Sequence, residues 1–255
     1  MTRTCACCEP SSHYLVSARN DPHPAAKYET AKGYTLHFGQ IWPHLPRLLD
    51  GALLSLEIAF IAFSGGLLIG TACASVRSFG PGWARRLVGA YVVFFTNTPQ
   101  LVQIYFLYFA LPDAGILLSS YAAVVIGMTL NAGAYLTQIQ RAGFQSRRQS
   151  EMEAAIVMGF STLQQIRYVI LPHVARVLFP PLSNHFILMT LGTSMAAIFG
   201  VEELTGQAFN INAETFRSIE VFSVTAVIYV ALTLIASAAL GLIGKFAFRA
   251  RMRLA

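Results

Sequence analysis

The chain reads as an all-α integral membrane protein with five transmembrane helices, its N-terminus outside and its C-terminus inside. Three observations predict this. Only 12% of the 255 residues are charged and 55% are apolar, against about 25% charged in a soluble domain. Apolar runs long enough to cross a bilayer recur five times, and Lys and Arg gather in alternate links between them. A mean hydropathy of +0.55 also excludes a disordered chain. The net charge of +6 needs only basic loops on one side of a membrane, so it implies no nucleic-acid partner.

Residues 1–49 form a polar tail that the topology places outside the cell, and residues 1–10 lack the apolar core of a cleavable signal. Cys5, Cys7 and Cys8 crowd its start. Their spacing lacks the paired ligands of a structural zinc site, and no metal is expected. Tyr34, Leu36, Phe38, Ile41, Trp42, Leu45 and Leu48 mix aromatic and aliphatic side chains over residues 34–49. Such a stretch favours the headgroup region, as an anchor on the outer surface before the chain enters the membrane near Asp50.

A hydrocarbon core about 30 Å thick needs about 20 apolar helical residues. Residues 50–255 supply runs at 53–76, 87–110, 115–139, 174–199 and 221–248. The second is interrupted by Asn97-Thr98-Pro99-Gln100 and the fourth by Pro180-Pro181, where kinks or local unwinding are expected. Arg77, Arg85 and Arg86 follow the first run. Arg141, Arg147, Arg148 and Arg167 follow the third, and Lys245, Arg249, Arg251 and Arg253 close the chain. Those links are expected inside. The alternate links carry Asp113 and then Glu202, Glu203, Glu214 and Glu220 against Arg217 alone, and are expected to be outside loops. On the first run, Gly65, Gly66 and Gly70 with Ala62 and Ser64 predict close helix packing.

The inside link of about 141–172 is longer than joining two helices requires. Ser150 with Glu153 and Ser161 with Gln164 each fit a capping box, predicting two short helices. Gly159 suits the left-handed turn between them, Pro172 is expected to stop the second, and Leu163, Ile166 and Ile170 share one face.

Glu153-Ala154-Ala155, then Gly159, then Ile170-Leu171-Pro172 resemble the E-A-A loop of ABC-transporter permeases. The likeness runs from about residue 34 to the C-terminus and is nearest the polar amino acid permeases. Thr98-Pro99 with Leu101-Val102-Gln103, the run Leu130-Asn131-Ala132-Gly133-Ala134-Tyr135, and Thr193-Ser194 with Gly200-Val201 and Glu203-Leu204 are similar to that family's signatures. The resemblance implies a type I importer. Two permease subunits, identical or homologous, would pair with two cytoplasmic ATPases that bind ATP and Mg2+, and an extracytoplasmic binding protein would deliver the solute. The location implied is a bacterial cytoplasmic (inner) membrane. Glu153, Ala154, Ala155, Gly159, Leu171 and Pro172 would couple to the ATPase, with Glu153 offering a carboxylate to one of its bases. In keeping with that division, the chain has no phosphate-cradling G-x4-G-K-[ST].

Polar groups at membrane depth face a cavity or a partner helix. Glu57, Thr96, Asn97, Thr98, Gln100, Asn131, Tyr135, Gln138, Gly192, Thr193 and Ser194 are the pathway candidates. Singly, each also fits a helix interface, and Glu57 also fits snorkelling at an outer helix end. His185 is either a solute contact or a core histidine, and His173 is expected to be interfacial. Many family members carry Arg where this chain has Thr96, K-D-T-S where it has Leu191-Gly192-Thr193-Ser194, and Glu at Gln138. Either the solute is less polar or differently charged, or a non-identical second permease holds the site. The rival readings are an ion-coupled secondary transporter, which would want more buried carboxylates than Glu57, and an intramembrane enzyme. For the latter, Ser183 and His185 are two residues apart and point in different directions on a helix.

Overall fold

The computed structural model describes residues 36–146, 149–161 and 164–248. The cysteine cluster, Leu163, Arg147, Arg148, Arg249, Arg251 and Arg253 lie outside the described residues, as do the side chains of Ser150 and Ile166. The described chain is all-helical, without a strand among those residues. Two 3-10 turns, Phe38–Gln40 and Trp42–His44, lead into α1 (Leu45–Phe79). Then come α2 (Gly82–Asn97), α3 (Gln100–Tyr105), α4 (Ser120–Gln145), α5 (Gln149–Val157), α6 (Leu171–Gly192), α7 (Leu204–Thr215) and α8 (Ser218–Phe248).

Four stretches are long and apolar enough to cross a membrane: Phe38–Phe79, Ser120–Gln145, Arg167–Phe199 and Ser218–Ala247. They overlap the first, third, fourth and fifth expected runs, with shifted ends. The second run is divided. Pro99 has no N–H to give the carbonyl of Phe95, so α2 ends at Asn97 and α3 restarts at Gln100, continuing through a π turn (Phe106–Ala110) and a 3-10 turn (Leu111–Ala114). Pro180 and Pro181, by contrast, lie within an unbroken α6.

The centre of the molecule is the pairing of α1 with α4. Glycines permit it. A Cβ built on Gly66 would lie 2.6 Å from the Cβ of Ala132, and one on Gly70 would lie 2.8 Å from that of Leu136. The expected close packing is therefore present, and the glycines bring the helix backbones nearer than side chains would allow. Ile58, Ala62, Ile104, Val124, Met128, Ala132 and Met189 build the main core around this contact. A second core joins Leu48 and Ala52 of α1 to Leu204, Ala208 and Ile211 of α7.

Three local expectations need correction. Pro172 does not stop a helix. A π turn over Gln165–Ile170 runs straight into α6, and the proline falls in the first turn of α6, where its missing N–H is tolerated. The helix of the third run is also longer than expected, because α4 continues past Ile139 to Gln145 and takes up Arg141. The link between α6 and α8 is not a simple acidic loop. It folds into α7, with Glu203 wholly buried at its start and Glu220 wholly buried in the first turn of α8.

Candidate substrate cavity and coupling loop

Breaking a helix at membrane depth leaves carbonyls without donors, and neighbouring side chains must supply them. Here Gln103 and Asn131 do so. Gln103 Nε2 donates to the carbonyls of Phe95 (3.0 Å) and Thr98 (3.1 Å), and Asn131 Nδ2 donates to Phe95 O (3.2 Å) and Gln103 Oε1 (3.1 Å). Tyr135 OH reaches Thr96 O at 3.5 Å, and Tyr91 OH donates to Leu130 O at 2.6 Å. On the α2 side, Thr96, Asn97 and Thr98 turn their side chains back onto the carbonyls four residues earlier. The break is thus held open by side chains of α3 and α4.

Beside it lies a cavity of about 550 Å³, lined by Thr96, Asn97, Thr98, Pro99, Gln100, Met128, Asn131, Ala132, Tyr135, His185, Leu188 and Met189. That volume lies within the range of small-molecule sites. The structure brings together Thr96, Asn97, Thr98, Gln100, Asn131 and Tyr135 from the pathway candidates. It leaves the others elsewhere. Glu57 is exposed and accepts a hydrogen bond from Tyr121 OH at 2.8 Å. Gln138 is exposed outside the cavity. Thr193 and Ser194 donate to the carbonyls of Thr190 (2.7 Å) and Leu191 (2.9 Å) at the 3-10 turn Thr193–Phe199, and Gly192 closes α6. Met128, Ala132, Leu188 and Met189 were not expected. Met128, Leu188 and Met189 stand three or four residues from Asn131 or His185, so helical spacing from those two polar positions would have found them, while Ala132 is simply the neighbour of Asn131.

The coupling candidates sit at a well-formed helix end. Gly159 has φ +76°, Phe160 N–H donates to Ala155 O (3.0 Å) and Gly159 N–H to Ile156 O (2.9 Å), the Schellman pattern. The expected capping box at Ser161 is present: Ser161 N–H donates to Gln164 Oε1 (2.8 Å) and Gln164 N–H to Ser161 Oγ (3.4 Å). Ala155 is buried, while Glu153, Ala154 and Leu171 are exposed, and Ile156, Val157 and Met158 stand out as an apolar tip. Pro172 is half-buried. His173 ties the base of the loop, its Nε2 3.1 Å from Ser146 O and its Nδ1 3.7 Å from Glu151.

Glu203 is the buried residue that sequence reasoning misplaced. Its carboxylate accepts from Ser55 Oγ (2.9 Å), Tyr229 OH (3.0 Å) and the N–H groups of Thr205 (3.0 Å) and Gly206 (3.1 Å), capping α7 and joining it to α1 and α8. Burial pushes its pKa above the ordinary carboxyl value, although the four donors pull the other way. The signal available in the sequence was position, one residue before an apolar helical run, where an acid serves as N-cap.

The family described as the binding-protein-dependent transport system inner membrane component matches residues 66–249. The chain belongs to this family. The glutamine transport system permease protein GlnP of Escherichia coli (strain K12) is 38% identical over 200 residues, 77% of this chain and 91% of that protein. The octopine transport system permease protein OccM of Rhizobium radiobacter is 31% identical over 76% of this chain and 83% of its own length. The crystal structure of an amino acid ABC transporter with histidines superposes with a TM-score of 0.78 at 29% identity, over 83% of this chain and 99% of that one. The MetNI methionine ABC transporter in an inward-facing conformation, at 20% identity and a TM-score of 0.64, shares the fold. This chain is therefore the multi-pass membrane permease subunit of an ABC importer and is not itself a catalyst.

Proposed function

We propose that this permease translocates a polar amino acid or a related small solute, and that the cavity at the α2–α3 break is where the solute is held within the membrane. The carrying observation is that cavity, in which amides and hydroxyls from α2, α3 and α4 meet beside a helix break whose carbonyls are already satisfied. GlnP and OccM, whose names give glutamine and octopine, support a solute of that class. An extracytoplasmic binding protein delivers it, and ATP with Mg2+ is bound and hydrolysed by partner ATPases. Those ATPases dock on the α5 tip through Glu153, Ala154, Ala155, Gly159, Leu171 and Pro172. A second permease, identical or homologous, completes the pathway in a bacterial inner membrane. The chain crosses five times, the α2–α3 pair serving as one crossing, with residues 1–49 outside and the C-terminus inside.

Coupling is tested with Gly159→Pro and Glu153→Lys. A φ of +76° is closed to proline, while a Cβ at Gly159 meets nothing within 4 Å, so the damage is confined to the turn. Both variants are expected to insert normally and to lose stimulation of the ATPase by loaded binding protein. Normal stimulation in either one overturns the docking assignment.

A further inference from the structure

A second cavity, of about 510 Å³, lies between α6 and α8 and is walled by those two helices alone. It is a groove along the membrane normal. Its α6 wall runs from Arg176 to Ile187, about 16 Å at 1.5 Å per residue, close to half of a hydrocarbon core about 30 Å thick. On α8, Ser237, Gly241 and Gly244 keep the facing wall low, and Phe179 packs against it at the Gly244 end, where a Cβ would lie 2.6 Å from the ring. No third helix lines the groove, and the most apolar stretch of α8 has no buried residue. We propose that the groove holds one anionic phospholipid from the leaflet on the α5 side, its phosphate on Arg176 and an acyl chain laid between the two helices.

The balance of charge selects this occupant. Arg176 is exposed in the second turn of α6 and has neither an ion pair nor a hydrogen bond among the described residues. A guanidinium at the edge of the hydrocarbon needs an anion. His173 ties the start of α6 to the end of α4, and on that side of the membrane the described acids are Glu151 and Glu153, both on α5. A second copy of this chain laid over the groove would therefore bring no described carboxylate to Arg176, whereas a phospholipid brings a phosphate that two guanidinium N–H groups can grip. Pro180 and Pro181 also have no N–H for the carbonyls of Arg176 and Val177. The headgroup hydroxyls of phosphatidylglycerol are donors for such acceptors. Further in, the hydroxyls of Ser183 and Ser237 and the amide of Asn184 line the groove without a hydrogen-bond partner among the described residues, and the lipid's ester carbonyls are acceptors for them. Pro180, Ile187 and Leu240 supply apolar surface for the chain.

The test is native mass spectrometry of the complete transporter, delipidated in detergent and titrated with dioleoyl phosphatidylglycerol or dioleoyl phosphatidylcholine. We expect one tightly held phosphatidylglycerol per copy of this chain, bound at least tenfold more tightly than phosphatidylcholine. Arg176→Gln should weaken phosphatidylglycerol about tenfold and leave phosphatidylcholine unchanged, while Arg86→Gln, which removes another exposed cation from the same side, should change neither. Gly241→Leu fills the groove from a position where a Cβ meets nothing within 4 Å, and should abolish the tight binding with Arg176 still in place. A photo-crosslinker in place of Leu240 should capture phosphatidylglycerol. Equal binding of the two lipids, normal phosphatidylglycerol binding by Arg176→Gln or by Gly241→Leu, or an equal loss in Arg86→Gln overturns the proposal. So does capture of a second permease from position 240, which would make the groove a subunit interface.

Discussion

Among single residues, Glu203 carries the heaviest structural duty. A carboxylate taken out of water is tolerable only when its lone pairs are filled, and four donors from three elements fill these. Glu203→Leu would leave the N–H groups of Thr205 and Gly206 short of an acceptor in a buried space, while the hydroxyls of Ser55 and Tyr229 keep Gly51 O and Thr205 Oγ1 as partners. A loss of roughly 3 kcal/mol or more is expected, since each orphaned buried donor costs about 1–3 kcal/mol. The measurement is thermal unfolding in detergent. Its pH dependence has a definite sign. Because the folded pKa is raised, the folded state binds the proton more tightly than the unfolded chain does. The Glu203 contribution is therefore complete below the ordinary glutamate value of about 4.3 and is lost as pH rises through the folded value. Glu203→Gln should flatten that part of the stability profile, and an unchanged profile would mean that Glu203 does not titrate there.

At the level of elements, the α1–α4 pair and the α2–α3 break show two ways a membrane helix meets its neighbours. The first excludes side chains: with a Cβ on Gly66 only 2.6 Å from Ala132, Gly66→Leu must push the helices apart. A cost of about 1–3 kcal/mol is expected from overpacking, read as a lower melting temperature, and an unchanged one would show that the contact is slack. The second way recruits side chains, as Gln103 and Asn131 do for the carbonyl that Pro99 leaves unpaired. Most of this was legible from sequence because lipid permits few solutions: long apolar runs of this kind form helices, and Asn-Thr-Pro-Gln inside one marks a place where it can break, although Pro180-Pro181 leave α6 whole. The long-range partners were not legible. Gln103 and Asn131 lie 28 residues apart and meet only through α3–α4 packing. The α7 helix was missed because it is short and its acids resembled loop charges, whereas Glu214 pairs with Arg47 of α1 at 2.9 Å. Pro172 was misjudged because the π turn before it changes what a proline interrupts.

For the whole molecule, the useful contrast is with a transporter driven by an ion gradient. Such a mechanism places carboxylates where an ion can reach them inside the membrane. Glu203 is already committed to four donors outside the spans, and Glu57 is bonded to Tyr121, away from the cavity. Neither is placed to carry a proton or sodium ion past the solute. The cavity has no acid in its lining, and the α5 tip is exposed and apolar, as the proposed docking surface requires. Energy should therefore enter through the loop and not through the cavity. In cells expressing the complete transporter, depleting ATP while an artificial proton gradient is maintained should stop uptake. Collapsing the gradient with ATP kept high should leave at least most of the initial rate. The opposite pattern would overturn the proposal that energy enters through the loop.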